Sequence, residues 1–177
     1  YTAENREFNE QKPSGRELDK WKFERYIKDY LRSVASLDKN IGRVMDYLRE
    51  EGLEENTIVI YTSDQGFYLG EYGWFDKRFM YDISFKTPLI IRWPMQVAAG
   101  SVNDDFVMNL DFAPTFLEAA RAVIPEEMQG VSFLPLLKGN KVPDWRKSVY
   151  YHVYECNPNG HNVAPHYGIR TKDFKLI

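Results

Sequence analysis

A run of β-branched and apolar residues from Thr57 to Thr62 stops abruptly at Ser63-Asp64-Gln65-Gly66. The pattern predicts a buried strand ending in an acid, an amide and a flexible glycine. In open α/β sheets, ligands bind just past the carboxyl ends of such strands. A hard cation there would meet one charged and one neutral oxygen donor side by side. The same residues also suit a tight turn in which Asp64 and Gln65 cap backbone amides. Lys77 and Arg78 follow closely enough in sequence to face an anion at the same place. A cation site beside an anion-binding lysine suggests chemistry on a charged ester.

The rest of the chain fits an α/β reading. Ser14-Gly15-Arg16-Glu17 has capping-box spacing, and residues 1–16 before it read as a polar loop or tail. A long amphipathic helix follows, with Phe23, Tyr26, Ile27, Tyr30, Leu31, Val34, Leu37, Ile41, Val44, Met45 and Leu48 at spacings of three and four. Gly52 is its expected stop. Asp38 falls on the apolar stripe and would need a partner if buried. Gly42 suggests close helix–sheet packing. The loop from Ser63 to Lys77 alternates glycines with Phe67, Tyr68, Tyr72, Trp74 and Phe75, and long ordered loops in compact domains are usually functional. A helical turn around Met80–Phe85 leads to a second strand, Leu89–Trp93, between Pro88 and Pro94. Helix–strand–helix–strand order implies parallel pairing in a three-layer α/β core. A third helix is expected from Asp111 as N-cap, with Pro114 in its first turn. After Ser148 the pattern changes to short aromatic strands, placing a subdomain boundary near Trp145. The expected division is therefore 1–144 and 145–177.

Composition excludes several classes. Hydrophobic residues make up 44% and charged residues 28%, as in ordinary globular domains. A net charge of −3 gives no basic surface for nucleic acid. One cysteine, Cys156, rules out an internal disulfide. No apolar run reaches the roughly 18 residues of a membrane span. Aromatic residues reach 15%, which suits a well-filled core or a carbohydrate-facing rim. The chain opens without methionine or a visible signal peptide and stops inside an apparent strand, so both ends read as cut ends.

Four motifs, in order, resemble the sulfatase family on the alkaline-phosphatase-like fold. They are TSDQGFYLGE with its glycine-rich loop, DKRFMYD followed by KTPLIIRWP, NLDFAPTFLEAA, and MQGVSFLPLLKG. HYGIRTKDFKLI then resembles the opening of the family's small C-terminal antiparallel sheet. The resemblance implies a partial three-layer α/β/α sandwich, strongest after Asn40 and weakest before Leu18. It implies that Asp64 and Gln65 bind Ca²⁺, with further ligands supplied from an Asp pair elsewhere. It implies that Lys77 contacts sulfate oxygens, with Asp82 in place of a more usual glutamate. Arg78 would pair with Asp76 or Asp82, or line the substrate pocket. Tyr72 stands where many relatives carry histidine, so no imidazole titrates there. Trp74 and Tyr72 are candidate substrate contacts. Of the three histidines, His166 is the leading substrate candidate, and His161 lies in a loop that could reach over the site. Arg121 replaces a frequent glycine at a helix end, with a structural role expected.

The family nucleophile, a formylglycine made from a Cys/Ser-x-Pro/Ala-Ser-x-Arg motif, has no counterpart here, and Glu155-Cys156-Asn157-Pro158-Asn159 does not match it. The resemblance therefore implies the C-terminal part of an exported sulfatase acting on sulfated glycans, of the N-acetylglucosamine-6-sulfatase-like branch, with the nucleophile outside this chain. A phosphonate or phosphodiester hydrolase of the same superfamily is the rival enzyme. Its two transition metals would want imidazole where Gln65 stands. A non-catalytic sulfate-binding relative is the rival of a different class.

Overall fold

The computed structural model describes residues 2–154 and 163–177. Cys156 and His161 lie outside the described residues. The chain divides into two compact units: residues 1–54 with 69–74, and residues 55–68 with 75–177.

The first unit is helical. Residues 1–16 are not the expected loop: Thr2–Gln11 form helix α1. The helix α2 follows over Gly15–Glu50. Phe8 meets Trp21 with ring centroids 4.6 Å apart, which joins α1 to α2. An aromatic pair outweighs the weak polar signal that suggested a tail. Ser14 is the N-cap of α2, but its side chain makes no capping bond. At the other end, Gly52 adopts φ 67°, and its N–H donates to the Arg49 carbonyl while Leu53 N–H reaches Leu48. That pair of bonds is a Schellman stop, which favours glycine at the left-handed position. No residue of α2 is buried. Asp38 is exposed rather than buried, so solvent removes its need for a partner. A side chain at Gly42 would meet nothing within 4 Å, so close packing is not the reason for that glycine. The turn at the tip of the unit carries Tyr72 in a left-handed conformation, φ 58°.

The second unit carries the strands, except that Leu69 of the second strand falls in the first unit. Strand β1 is Val59–Thr62, followed by β2, Tyr68–Leu69, and β3, Phe75–Asp76. Helix α3 is Asp82–Phe85, and β4 is Leu89–Arg92. β1 and β4 pair antiparallel, Val59 opposite Arg92 and Thr62 opposite Leu89, where parallel pairing was expected. Parallel strands need a crossover, usually a helix. The residues between these two offer only a 3₁₀ turn, Glu71–Gly73, and the single turn of α3, so the chain doubles back. Helix α4, Phe112–Ala119, and the short α5, Leu134–Leu137, come next. Phe133, Leu136 and Trp145 form the buried core, with Ile91, Val107 and Phe112 packed against it. A three-stranded antiparallel sheet closes the chain: β5, Ser148–Val153, β6, His166–Thr171, and β7, Lys175–Leu176.

Candidate active site

Asp64 sits just past β1 and is exposed. Ser63 Oγ lies 3.4 Å from its carboxylate and 2.9 Å from the Gln65 carbonyl. Asn109 Nδ2 donates to the Asp64 carbonyl at 2.7 Å. The loop then runs against α3: Gly66 N–H donates to the Ser84 carbonyl at 3.0 Å. A Cβ at position 66 would collide with the Ile83 carbonyl oxygen, so only glycine permits this approach. Ser84 is buried, and its hydroxyl donates to the carbonyls of Phe79 and Tyr81. One residue thus ties the Asp64 loop to the segment following Lys77 and Arg78. Among the described residues no direct hydrogen bond or ion pair joins Asp64 or Gln65 to Lys77 or Arg78.

Lys77 and Arg78 share one acid. Lys77 Nζ lies 4.0 Å from Asp76, and Arg78 Nε lies 3.1 Å from it. The pair with Asp76, one of the alternatives for Arg78, is present. Asp82 instead serves the C-terminal sheet. Lys175 and Arg170 both reach it, Arg170 Nε at 3.4 Å. The hydrogen bond from Lys175, then that from Arg170, outweighs desolvation and holds its carboxyl below the usual carboxylate range.

His166 packs against Phe79 and Tyr151, with ring centroids 5.9 and 5.8 Å apart. Nδ1–H donates to the Ala164 carbonyl at 2.8 Å, and the other ring nitrogen is Nε2. That atom is buried without a hydrogen-bond partner among the described residues. Tyr151 places its hydroxyl 3.5 Å from the Arg78 carbonyl. Tyr72 and Trp74 belong to the other unit, where they meet edge to face at 6.3 Å.

The third-helix motif hides a feature not anticipated as such. Asp111 does precede α4 but does not cap it with its side chain. Its carboxylate is fully buried and accepts from Met108 N–H at 2.7 Å, Val131 N–H at 2.9 Å and both Arg146 terminal nitrogens. Burial works against the charge, but Arg146 and then the two amides outweigh it and keep the carboxyl below its ordinary range. Thr115, also buried, donates to the Asp111 carbonyl and accepts from Phe133 N–H. These bonds hold the segment carrying Phe133 across the start of α4. A buried partner for an acid lying 35 residues away leaves no local pattern to read.

Calcium suits the donors at the strand end. Each side chain offers an oxygen donor, one of them charged, and no Lys or Arg pairs with Asp64 among the described residues. No group of three or more His, Cys, Asp or Glu able to hold a metal occurs among them. Two such oxygens would fill only part of a calcium shell.

Residues 1–122 match the family described as Sulfatase, and residues 70–177 match N-sulphoglucosamine sulphohydrolase, C-terminal. The chain belongs to the sulfatase family. An N-acetylglucosamine-6-O-sulfatase of Bacteroides thetaiotaomicron is 53% identical over 165 residues, 92% of this chain and 29% of that protein. A solved structure in complex with its substrate, D-glucosamine-2-N,6-O-disulfate, superposes with TM-score 0.90 at 50% identity, covering 96% of this chain and 35% of that one. A phosphonate monoester hydrolase from Silicibacter pomeroyi superposes with TM-score 0.71 at 29% identity, covering 78% of this chain and 29% of that one. The chain thus spans about a third of the length of these relatives. Its fold is part of the α/β alkaline-phosphatase-like fold, with small antiparallel sheets. No described helix is long and apolar enough to cross a membrane.

Proposed function

We propose that this chain is the C-terminal part of an exported sulfatase that hydrolyses sulfate esters of sulfated glycans, glucosamine 6-sulfates in particular. The observation that carries the reading is the tie between the two charged segments. Gly66 and Ser84 fasten the Asp64–Gln65 loop to the segment that follows Lys77 and Arg78. The 53% identity to an N-acetylglucosamine-6-O-sulfatase supports the substrate class. Residues 1–144 belong in this reading to the catalytic α/β domain, and 145–177 open the C-terminal subdomain.

Asp64 and Gln65 would hold Ca²⁺ together with ligands from outside these 177 residues. When bound, calcium and the formylglycine would supply charge neutralisation and a nucleophile respectively. The remaining work falls to this chain. Lys77 carries a compact ammonium suited to the sulfuryl oxygens, and Asp76 orients it together with Arg78. Arg78, Tyr72 and Trp74 contribute substrate contacts. His166 does so as well.

The test is metal analysis and kinetics on the full-length protein. Active enzyme should contain calcium, Asp64→Ala should lose it with most turnover, and Gln65→Ala should lose less. Calcium-free active enzyme, or wild-type turnover by Asp64→Ala, would overturn the reading. The phosphonate hydrolase relative gives the rival activity. Matched aryl sulfate and aryl phosphonate esters separate the two, with the sulfate expected to be the better substrate by kcat/KM. A sulfate-binding protein without activity would turn over neither.

A further inference from the structure

The Asp64 carbonyl is held from a distant part of the chain. Asn109 donates to it across 45 residues at 2.7 Å. Asn109 is exposed, yet its backbone is anchored at both sides. It opens a 3₁₀ turn, Asn109–Asp111. Asp111 at the end of that turn is locked by Arg146 and by the Met108 amide. An exposed amide on so fixed a backbone has a defined reach, and what it reaches is the peptide that joins Asp64 to Gln65. Other bonds in this loop run from Ser63 Oγ to the Asp64 carboxylate and the Gln65 carbonyl and from Gly66 N–H to Ser84. None of these touches that peptide oxygen. Partners outside the ligand shell orient the ligands, and their loss typically costs about 10–100-fold in metal affinity or activity.

We infer that Asn109 is a positioning residue for the metal loop: it fixes the Asp64–Gln65 peptide so that both side-chain oxygens face one cation. This rests on the calcium reading of Asp64 and Gln65. The amide contributes no ligand, so its loss weakens calcium without removing any donor. At saturating calcium the same shell re-forms and turnover returns. An ordinary folding role would lower kcat at every calcium concentration.

The experiment uses the full-length protein, stripped with a chelator and titrated calorimetrically with Ca²⁺, beside kcat measured over a calcium series. Asn109→Ala should raise the calcium Kd about 10-fold or more, with kcat recovering at saturating calcium. Asn109→Leu, which keeps the volume without a donor, should behave the same. Unfolding midpoints of the metal-free forms check that both variants fold. An unchanged Kd in both variants, while Asp64→Ala loses calcium, overturns the inference and leaves the calcium reading standing. A raised Kd with kcat depressed at all calcium levels also overturns it. Normal calcium binding by Asp64→Ala overturns the metal reading, and the role of Asn109 with it.

Discussion

Lys77 and Asp111 are two charged residues with opposite settings. Lys77 is half-buried beside Asp76, and in the proposed reaction it would meet charge that grows on the transferring group. Interactions that strengthen in the transition state appear in turnover. Lys77→Ala in the full-length protein should therefore lower kcat by about 10²-fold or more, the scale of losing one electrostatic stabiliser. Kinetics on a sulfated aryl ester would show it, and an unchanged kcat would remove Lys77 from the reaction. Asp111 is fully buried and faces Arg146. Removing one partner of a buried pair leaves the other uncompensated and costs about 3–5 kcal/mol, so Asp111→Ala should lower the denaturation midpoint sharply. The pair also sets a pH dependence. The folded pKa of Asp111 is depressed, so its contribution is complete above the unfolded value of about 3.9. It is lost as pH falls through the lower folded value. Stability of the native protein should fall in that acid window, and Asp111→Asn should flatten the fall. Equal slopes for the two proteins below about pH 4 would refute the assignment.

Among the elements, local chemistry was legible and long-range partners were not. The stop at Gly52, the strand ahead of Asp64 and the closing strands follow from periodicity and turn residues, which act over a few positions; the expected burial of that first strand does not, since Tyr61 and Thr62 are exposed. Arg121 was also readable. It sits after α4 at φ 56°, with Arg121 N–H on Glu118 and Ala122 N–H on Leu117, the left-handed position where glycine is usual. An L-residue there costs about 1–2 kcal/mol, so Arg121→Gly should stabilise the protein by about 1 kcal/mol. Kinetics should stay the same. A lower thermal midpoint would show that the Arg121 side chain earns its place through a contact. The direction of β4 was not legible, because a strand pattern does not record which neighbour it joins. Neither was the fate of the Asp111 carboxylate, since an Asp before a helix reads as a cap unless its distant arginine is known. In the candidate site, Asp64, Gln65 and Lys77 came from motif order, whereas the links through Ser84 and Asn109 are contacts between separate segments.

At the scale of the molecule, much apolar surface has no cover. Phe23, Leu31 and Val44 along α2 are 51%, 56% and 57% exposed. Ile58, Ile60, Phe116, Ala119 and Ala120 line an open apolar hollow beside β1 and α4. The chain spans about a third of the relatives' length. Exposed apolar patches of this kind drive association, and a two-stranded β1–β4 sheet leaves edges open to pairing. The 177-residue chain purified alone should therefore self-associate. It should also fail to hydrolyse sulfate esters. Its sequence holds no Cys/Ser-x-Pro/Ala-Ser-x-Arg motif, and two ligands leave most of a calcium shell to water. Its calcium affinity should accordingly fall well below that of the full-length protein. Light scattering, calcium titration and a sulfatase assay on the chain beside the full-length protein would measure all three. Turnover by the chain alone near the full-length rate would mean that a nucleophile lies within these residues and that Asp64, Gln65 and Lys77 are not half of the site but most of it.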